Sequence, residues 1–184
     1  MEQLFAPWRI EWVERDGDAD GDGCVFCDLP ERGDDREARV VARTERAYVV
    51  LNNYPYNPGH AMVVPHRHGG DYPDLPGPVA AEVVWLQQRT VAALRAALDP
   101  DAFNTGMNLG GGPSGGSIAD HLHTHVVPRW AGDTNFMPVI SDTTVIVEAV
   151  DETYDRLRDA FADLEGTTVA GEDDAVRVNL DGAG

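Results

Sequence analysis

The sequence predicts an α+β fold in which an antiparallel sheet packs around one long helix. Three short Val-rich segments lie close together, at 38–43, 47–52 and 60–65, and turn residues separate them. Apolar residues recur at three- and four-residue spacing through 79–98, the pattern of an amphipathic helix. Strands grouped around one long helix are typical of an α+β domain, and 184 residues suffice for one domain with its own core.

Local residue types set the bounds of these elements. The second strand connection, "NYPYNPG" (53–59), is short and Pro-rich, so the strands are expected to pair antiparallel. The helix begins near Pro78, which suits a first helical turn, and ends at "DP" (99–100). Its predicted apolar face consists of Val83, Leu86, Thr90, Ala93, Leu94 and Ala97.

The second half of the chain predicts more strands and a closing helix. A strand is expected over 102–108, then the Gly-rich loop "LGGGPSGGS" (109–117) and a strand that carries histidines. Residues 144–150 predict another strand, and 151–164 predict the last helix. The chain is thereby divided into an N-terminal extension with an acidic loop (1–23), the folded domain (24–164) and an acidic C-terminal tail (165–184) that is expected to be mobile.

The charge balance restricts the possible partners. The chain has 32 acidic and 14 basic residues, every basic residue is Arg, and the formal net charge is −18. Such a surface repels itself at low salt and is screened at high ionic strength, so the sequence predicts a halophilic protein. The same field opposes a phosphate backbone and argues against nucleic acid as a partner. A small anionic substrate remains compatible with a local site of His, Arg or backbone N–H groups.

Neither a membrane partner nor a calcium site is expected. No apolar run approaches the roughly 20 residues that cross a bilayer. The N-terminal segment lacks the pattern of a secretory signal, so a cytoplasmic location is predicted. The loop "DGDADGDGC" (16–24) imitates the start of an EF-hand. Cys27 occupies the twelfth loop position, where a bidentate Glu is required, so a solvated acidic loop is the better interpretation.

Three of the six histidines occupy alternate positions of "HLHTHVVPRW" (121–130). Because side chains alternate between the faces of a strand, His121, His123 and His125 are expected to point to one side. A solvated polar face would not select His three times. The pattern alone leaves two interpretations: a metal site, or a nucleophilic site in which one imidazole attacks while the others orient and donate protons.

The Gly-rich segment just before these histidines favours the nucleophilic interpretation. "GGGPSGGSIADH" (110–121) contains Ser114 and Ser117 and can direct several backbone N–H groups toward one anion, although it has no Walker lysine. An anion-binding loop beside a nucleophile is what phosphoryl or nucleotidyl transfer requires.

These residues resemble the histidine triad family of nucleotide hydrolases and transferases. "HLHTHVV" fits the family's His-x-His-x-His-x-x pattern, with Thr124 as a less apolar spacer. The likeness extends to "LNNYPYNPGHAMVVPHRH" (51–68), "FNTGMNLG" (103–110) and "PRW" (128–130). Together with "LFAPWRIEWV" and "GGSIADHLHTHVVPRWAGDTNF", it is most similar to the diadenosine tetraphosphate phosphorylase-like branch, from a haloarchaeon-like source.

The resemblance implies a fold and an activity. The fold would be a five-stranded antiparallel sheet with one long helix and a C-terminal helix, with two sheets joined across a homodimer. The activity would be nucleotidyl transfer or hydrolysis at the α-phosphate of a dinucleoside polyphosphate, through a nucleotidyl-histidine intermediate, with phosphate or water as acceptor. A nucleoside phosphoramidate hydrolase and a non-enzymatic purine nucleotide-binding protein are the alternatives.

The resemblance also implies roles for individual residues. His123 would be the nucleophile, His125 would donate to the phosphate or leaving-group oxygen, and His60 would support the site from behind. Asn52 matches the position that holds the ribose hydroxyls. The positions that bind phosphate are matched by Asn108, Gly116 and Ser117.

The only cysteines, Cys24 and Cys27, lie in "CVFC". From this pattern they are half of a zinc site, a redox pair, or two thiols without a further role. Family members with such a pair bind zinc through it, the His that closes "VVPHRH" and the first triad His, here His68 and His121. Because Cys₂His₂ leaves no open coordination position, the zinc ion that the resemblance implies would be structural. No organic cofactor is expected. His121 would then anchor the strand as well as complete the triad, and His66 is the alternative ligand if the register shifts by two.

Overall fold

The computed structural model of the protein describes residues 23–109, 120–133 and 150–179. Within these ranges the strands are β1 (Val40–Arg43), β2 (Ala47–Leu51), β3 (Ala61–Pro65), β4 (Ala102–Gly106), β5 (Thr124–Arg129), β6 (Thr167–Thr168) and β7 (Val176–Val178). The α-helices are α1 (Val25–Asp28), α2 (Gly77–Leu98) and α3 (Val150–Ala162), and 3₁₀ turns occupy Leu29–Glu31 and Tyr72–Asp74. The fold is α+β, and its strands form one sheet in the order β4-β5-β3-β2-β1-β7-β6.

The Val-rich segments pair antiparallel, as predicted. β1 pairs with β2, and β2 pairs with β3 in the register Val49↔Val63. β3 then pairs antiparallel with β5, which places Met62 opposite His125. β4 pairs with the other side of β5 and forms one edge of the sheet. This order sets the histidine-bearing strand beside the strand that follows the "NPGH" turn.

Helices α2 and α3 cover one face of the sheet. The main core joins Val49, Val63 and Val126 of the sheet to apolar side chains of both helices. The predicted apolar face of α2 is buried at Val83, Leu86, Thr90, Ala93 and Leu94. The helix ends where predicted, at Asp99, which has a φ of +48° and donates its N–H to the carbonyl of Arg95. No helix in the described ranges is both long and apolar enough to cross a membrane.

A second, smaller core occupies the opposite face. Phe26, Tyr48, Val50, Met62 and Val64 belong to it, and all are buried. The Tyr48 hydroxyl donates a 2.6 Å hydrogen bond to the carbonyl of Phe26, which holds α1 over this face. Residues paired across neighbouring strands point to the same face, so His125, which pairs with Met62, also lies on this face.

The structure corrects three predictions. The sheet of the described residues has seven strands rather than five, and β7 runs parallel to β1. Part of the predicted mobile tail (165–184) forms β6 and β7, and Val176 is fully buried. Such short strands among Asp and Gly residues carry too little periodicity to be predicted. Val150, the end of the strand predicted at 144–150, opens α3 instead. Residues 144–149 and the N-terminal segment 1–22 lie outside the described residues.

Gly59, in the turn between β2 and β3, cannot carry a side chain without strain. Its φ is +76°, and a Cβ there would overlap Leu98 Cδ1 and lie 3.0 Å from Leu94 Cδ2. We expect Gly59→Ala to lower the free energy of unfolding by about 2–4 kcal/mol, because backbone strain adds to overpacking. Chemical denaturation measures the loss.

Gly33 is the matched control for Gly59. Its φ of +74° is nearly the same, and nothing lies within 4 Å of a Cβ built on it. Gly33→Ala is therefore expected to cost only the backbone term, about 1–2 kcal/mol. Equal losses in the two variants would show that the space around Gly59 does not matter.

Candidate active site and metal centre

The histidines predicted to act together lie on the sheet face opposite α2 and α3. His125 is on β5, whereas His121 and His123 lie on the segment that leads into this strand, which begins at Thr124. The rings of His123 and His125 have centroids 4.8 Å apart. The ring of Phe26 contacts both His123 (5.0 Å) and His121 (5.6 Å). The structure thus brings the three histidines into one row.

His123 presents one ring nitrogen with a lone pair. Its Nδ1 lies 2.9 Å from the carbonyl oxygen of His121. A carbonyl only accepts, so Nδ1 carries the proton and donates, and Nε2 of the neutral ring holds the lone pair. Burial lowers the pKa of His123, and the bond to the carbonyl offsets this effect only in part. The ring is therefore held in the neutral form, with a lone pair on Nε2.

His125 is held in the opposite tautomer by a chain of hydrogen bonds. The backbone N–H of Tyr56 donates to His60 Nδ1 over 3.1 Å, so neutral His60 carries its proton on Nε2. His60 Nε2 then donates to His125 Nδ1 over 2.9 Å. His125 consequently carries its own proton on Nε2. The tyrosine ring of Tyr56 stacks on His60 with centroids 4.8 Å apart. The two neighbouring imidazoles thus differ at Nε2, which holds a lone pair in His123 and a proton in His125.

Asn52, the predicted ribose-binding residue, borders this group. Its backbone N–H donates to the carbonyl of His60 over 2.9 Å. Its Oδ1 accepts the N–H of Tyr54 over 2.8 Å, and its Nδ2 lies 3.6 Å from Met62 Sδ. The turn after β2 therefore fixes the side chain of Asn52 on the histidine face.

The predicted phosphate-binding residues are described only in part. Asn108 follows β4 by two residues, after Gly106, which pairs with His125 across the sheet. This register places Asn108 beyond the end of β4 that adjoins the triad. Gly116 and Ser117 lie outside the described residues.

Four predicted metal ligands converge at the start of the triad. The ligand atoms of Cys24, Cys27, His68 and His121 all lie within 4.8 Å of one another. Cys24 Sγ is 3.2 Å from His121 Nδ1, and Cys27 Sγ is 3.5 Å from His68 Nδ1. His121 Nε2 donates to the carbonyl of Pro65 over 2.8 Å, so its Nδ1 lone pair faces the thiols. Histidines that bind a metal through one ring nitrogen typically donate the N–H of the other to a carbonyl or carboxylate.

The donor set fits a four-coordinate zinc ion. Burial lowers the pKa of His121 and raises the pKa of the Cys27 thiol, which Cys24 raises further. The two thiols and the imidazole lone pair are crowded together, and a divalent cation would bind the sulfurs as thiolates and all four groups at once. His66 does not join this cluster: its ring lies against Tyr48, with centroids 5.3 Å apart.

The structure adds residues to which the sequence analysis gave no role. Phe26 separates the two cysteines and contacts two triad histidines. Asn57 and Asp133 hydrogen-bond to each other and tie the turn before His60 to the end of β5. Asn57 and Asp133 lie inside "NPGH" and "RWAGD", two segments that resemble the family, but neither segment has a local pattern that indicates a contact across 76 residues.

Comparison with known sequences gives a consistent result. The family model of the HIT domain matches residues 34–132. The AP-4-A phosphorylase of Mycobacterium tuberculosis is 40% identical over 168 residues, which cover 88% of this chain and 85% of that protein. An uncharacterized HIT-like protein of Saccharolobus solfataricus is 29% identical over 114 residues, covering 62% of this chain and 79% of that protein.

Solved structures share the fold. A Zn-bound histidine triad family protein from Mycobacterium smegmatis superimposes with a TM-score of 0.60 and 26% identity, covering 76% of this chain and 94% of that chain. A hypothetical histidine triad nucleotide-binding protein from Sulfolobus tokodaii has a TM-score of 0.57 and 25% identity, covering 75% of this chain and 89% of that chain. The histidine row, the matched domain and these relatives together place the chain in the histidine triad (HIT) family.

Proposed function

We propose that the protein is a nucleotidyl-transferring enzyme that acts on a dinucleoside polyphosphate such as diadenosine tetraphosphate, with His123 as the nucleophile. The observation that carries the proposal is the pair of opposite tautomers: His123 exposes a lone pair on Nε2, and His125 carries a proton on Nε2. The similarity to a mycobacterial AP-4-A phosphorylase supports this substrate class.

In the first step, the lone pair of His123 Nε2 forms a bond to the α-phosphorus of the substrate. The bond from this phosphorus to the bridging oxygen breaks, and its electron pair leaves with that oxygen as ATP. The N–H of His125 donates a hydrogen bond to the oxygen on which charge develops. The product on the enzyme is a nucleotidyl-histidine, which divides one displacement into two easier ones.

In the second step, an acceptor oxygen attacks the same phosphorus, and the electron pair of the phosphorus–nitrogen bond returns to Nε2. If inorganic phosphate is the acceptor, ADP is released. If water is the acceptor, AMP and a proton are released. Asn52 would hold the ribose, and Asn108, Gly116 and Ser117 would bind phosphate oxygens. In this assignment His60 supports His125, and His121 anchors the start of the row.

We expect the purified protein to convert diadenosine tetraphosphate to ADP and ATP when inorganic phosphate is present. The incubation is done in high salt, because the net charge of −18 calls for screening, and chromatography identifies the products. AMP plus ATP in the absence of phosphate would assign water as the acceptor. No turnover under either condition would overturn the dinucleotide substrate, and activity on a phosphoramidate or binding of AMP alone would then replace it.

The proposal includes a structural zinc ion on Cys24, Cys27, His68 and His121. These four donors leave no open coordination position, so the ion would hold the start of the triad segment against α1 and take no part in the chemistry. No organic cofactor is needed for the two steps. We also propose a cytoplasmic, halophilic homodimer whose two sheets join, for which the exposed residues of edge strand β4 offer a surface.

A further inference from the structure

We propose that Asn57 and Asp133 form a polar clamp that positions His60 against His125 and thereby sets how strongly the enzyme stabilises its leaving group. The two residues are positioning residues, because they act through the histidines and not on the substrate. This inference rests on the proposed function and adds a device outside the histidine row.

The clamp joins the turn after β2 to the end of β5. Asn57 is buried, and its Nδ2 donates to Asp133 Oδ2 over 2.8 Å and to the carbonyl of Pro128 over 2.9 Å. Asp133 also accepts two hydrogen bonds from Arg129, from Nε over 2.5 Å and from Nη2 over 2.9 Å. The hydrogen bond from Arg129 lowers the pKa of Asp133, so the carboxylate remains charged and acceptor-only.

The turn that the clamp holds also sets the tautomer of His60. The carbonyl of Asn57 accepts the backbone N–H of His60 over 3.1 Å. Its neighbour in sequence, Tyr56, supplies the N–H that binds His60 Nδ1. Asn57 thus bonds to His60 through its backbone and to Asp133 and Pro128 through its side chain.

The clamp also gives the His60 turn a second attachment to β5, beside the pairing of β3 with β5. Pro128 and His125 belong to the same strand, β5, so the bond from Asn57 to Pro128 attaches the His60 turn to the element that carries His125. The His60 Nε2 to His125 Nδ1 distance is 2.9 Å, and this attachment reinforces the pairing of β3 with β5 that begins at the next residue, Ala61. If the turn moves away, His125 Nδ1 loses the donor that keeps its proton on Nε2.

Loss of the clamp has a specific kinetic consequence. The nucleophile keeps its geometry, since the carbonyl of His121 that fixes His123 lies on another segment. Only the hydrogen bond to the leaving oxygen weakens. A good leaving group needs little of this stabilisation, whereas a poor one needs much. The defect must therefore depend on the leaving group.

The test uses two esters of AMP as substrates, one with 4-nitrophenol and one with phenol, and measures kcat/KM for each. In Asp133→Asn and in Asn57→Ala we expect the phenyl ester to lose roughly 10-fold more activity than the 4-nitrophenyl ester. Thermal unfolding confirms that each variant is folded. Two variants that break the clamp from opposite ends guard against one of them failing to fold.

Asp155→Asn is the matched control. Asp155 also accepts two hydrogen bonds from one arginine, Arg36, over 2.5 and 2.9 Å, and it lies on α3, on the other face of the sheet. Its substitution should leave the ratio of the two esters unchanged. If the clamp variants lose activity equally on both esters, or lose only stability, the clamp is refuted. If the wild-type protein turns over neither ester, the leaving-group dependence has no basis and this inference is overturned, whereas the proposed function is decided separately by turnover of diadenosine tetraphosphate.

Discussion

Replacing His123 with Ala is expected to reduce kcat/KM for diadenosine tetraphosphate by at least roughly 10³-fold, because the bond-forming atom is removed. Nε2 of this residue is the one ring nitrogen of His123 with a lone pair, since Nδ1 donates to the carbonyl of His121. No backbone group of Ala can replace it. Steady-state rates on the wild-type protein and the variant, with products identified by chromatography, measure the loss.

The variant should remain folded. The His123 side chain packs against Phe26 of the second core, on the sheet face opposite α2 and α3. Truncation to Ala leaves a small cavity and should cost about 1–3 kcal/mol. A thermal unfolding transition and an unchanged zinc content show that loss of activity is not loss of structure.

A trapping experiment separates the nucleophile from a residue that merely supports catalysis. Substrate labelled at the α-phosphorus is mixed with enzyme, and the protein is denatured in base, where a phosphorus–nitrogen bond to histidine survives. Label should remain on the wild-type protein and on His66→Ala, whose imidazole lies against Tyr48 and lies outside the row of three histidines. It should be absent from His123→Ala. Label or turnover retained in His123→Ala would refute the assignment.

Local patterns were sufficient to predict most of the fold. The helix over 79–98 and the three Val-rich strands carry strong periodicity, and the structure places them within two residues of the predicted bounds. β7 was missed because three residues, Val176–Val178, give no period to detect. Its burial comes from parallel pairing with β1, a contact between distant parts of the chain that composition does not reveal.

The candidate site was also predictable only in part, namely where a local sequence pattern exists. Residue type and alternate spacing suffice to predict that His121, His123 and His125 lie in one row. The groups that decide their chemistry are not readable from that pattern: a backbone carbonyl fixes one tautomer, and a backbone N–H on a Pro-rich turn fixes another. The roles of the site residues stay predictions, as does the start of the folded domain at residue 24.

The second large effect is expected at the cysteines. The double substitution Cys24→Ser and Cys27→Ser should remove bound zinc and lower the free energy of unfolding by about 3 kcal/mol or more, since metal binding and folding are coupled. For a chain of this size that corresponds to a fall in Tm of about 10 °C. Elemental analysis gives the zinc content, and thermal unfolding gives the stability.

The reason lies in what the four ligands join. Cys24 and Cys27 flank α1, which has only four residues, His68 follows β3, and His121 precedes β5. Short helices have little stability of their own, so the cluster and the bond from Tyr48 to Phe26 must hold α1 in place. Without the ion, α1 would lose one of its two attachments to the sheet, which lowers the stability of the fold.

A chelator series at constant temperature then separates a structural ion from a catalytic one. A complete Cys₂His₂ set offers no position for substrate or water, so a zinc ion held there would not act as a Lewis acid. Turnover should therefore fall only in step with the folded fraction, and protein that is still folded after zinc removal should retain its rate. If turnover disappears while the unfolding transition and Tm are unchanged, the histidine row belongs to a metal-dependent catalyst and His123 is not sufficient as the nucleophile.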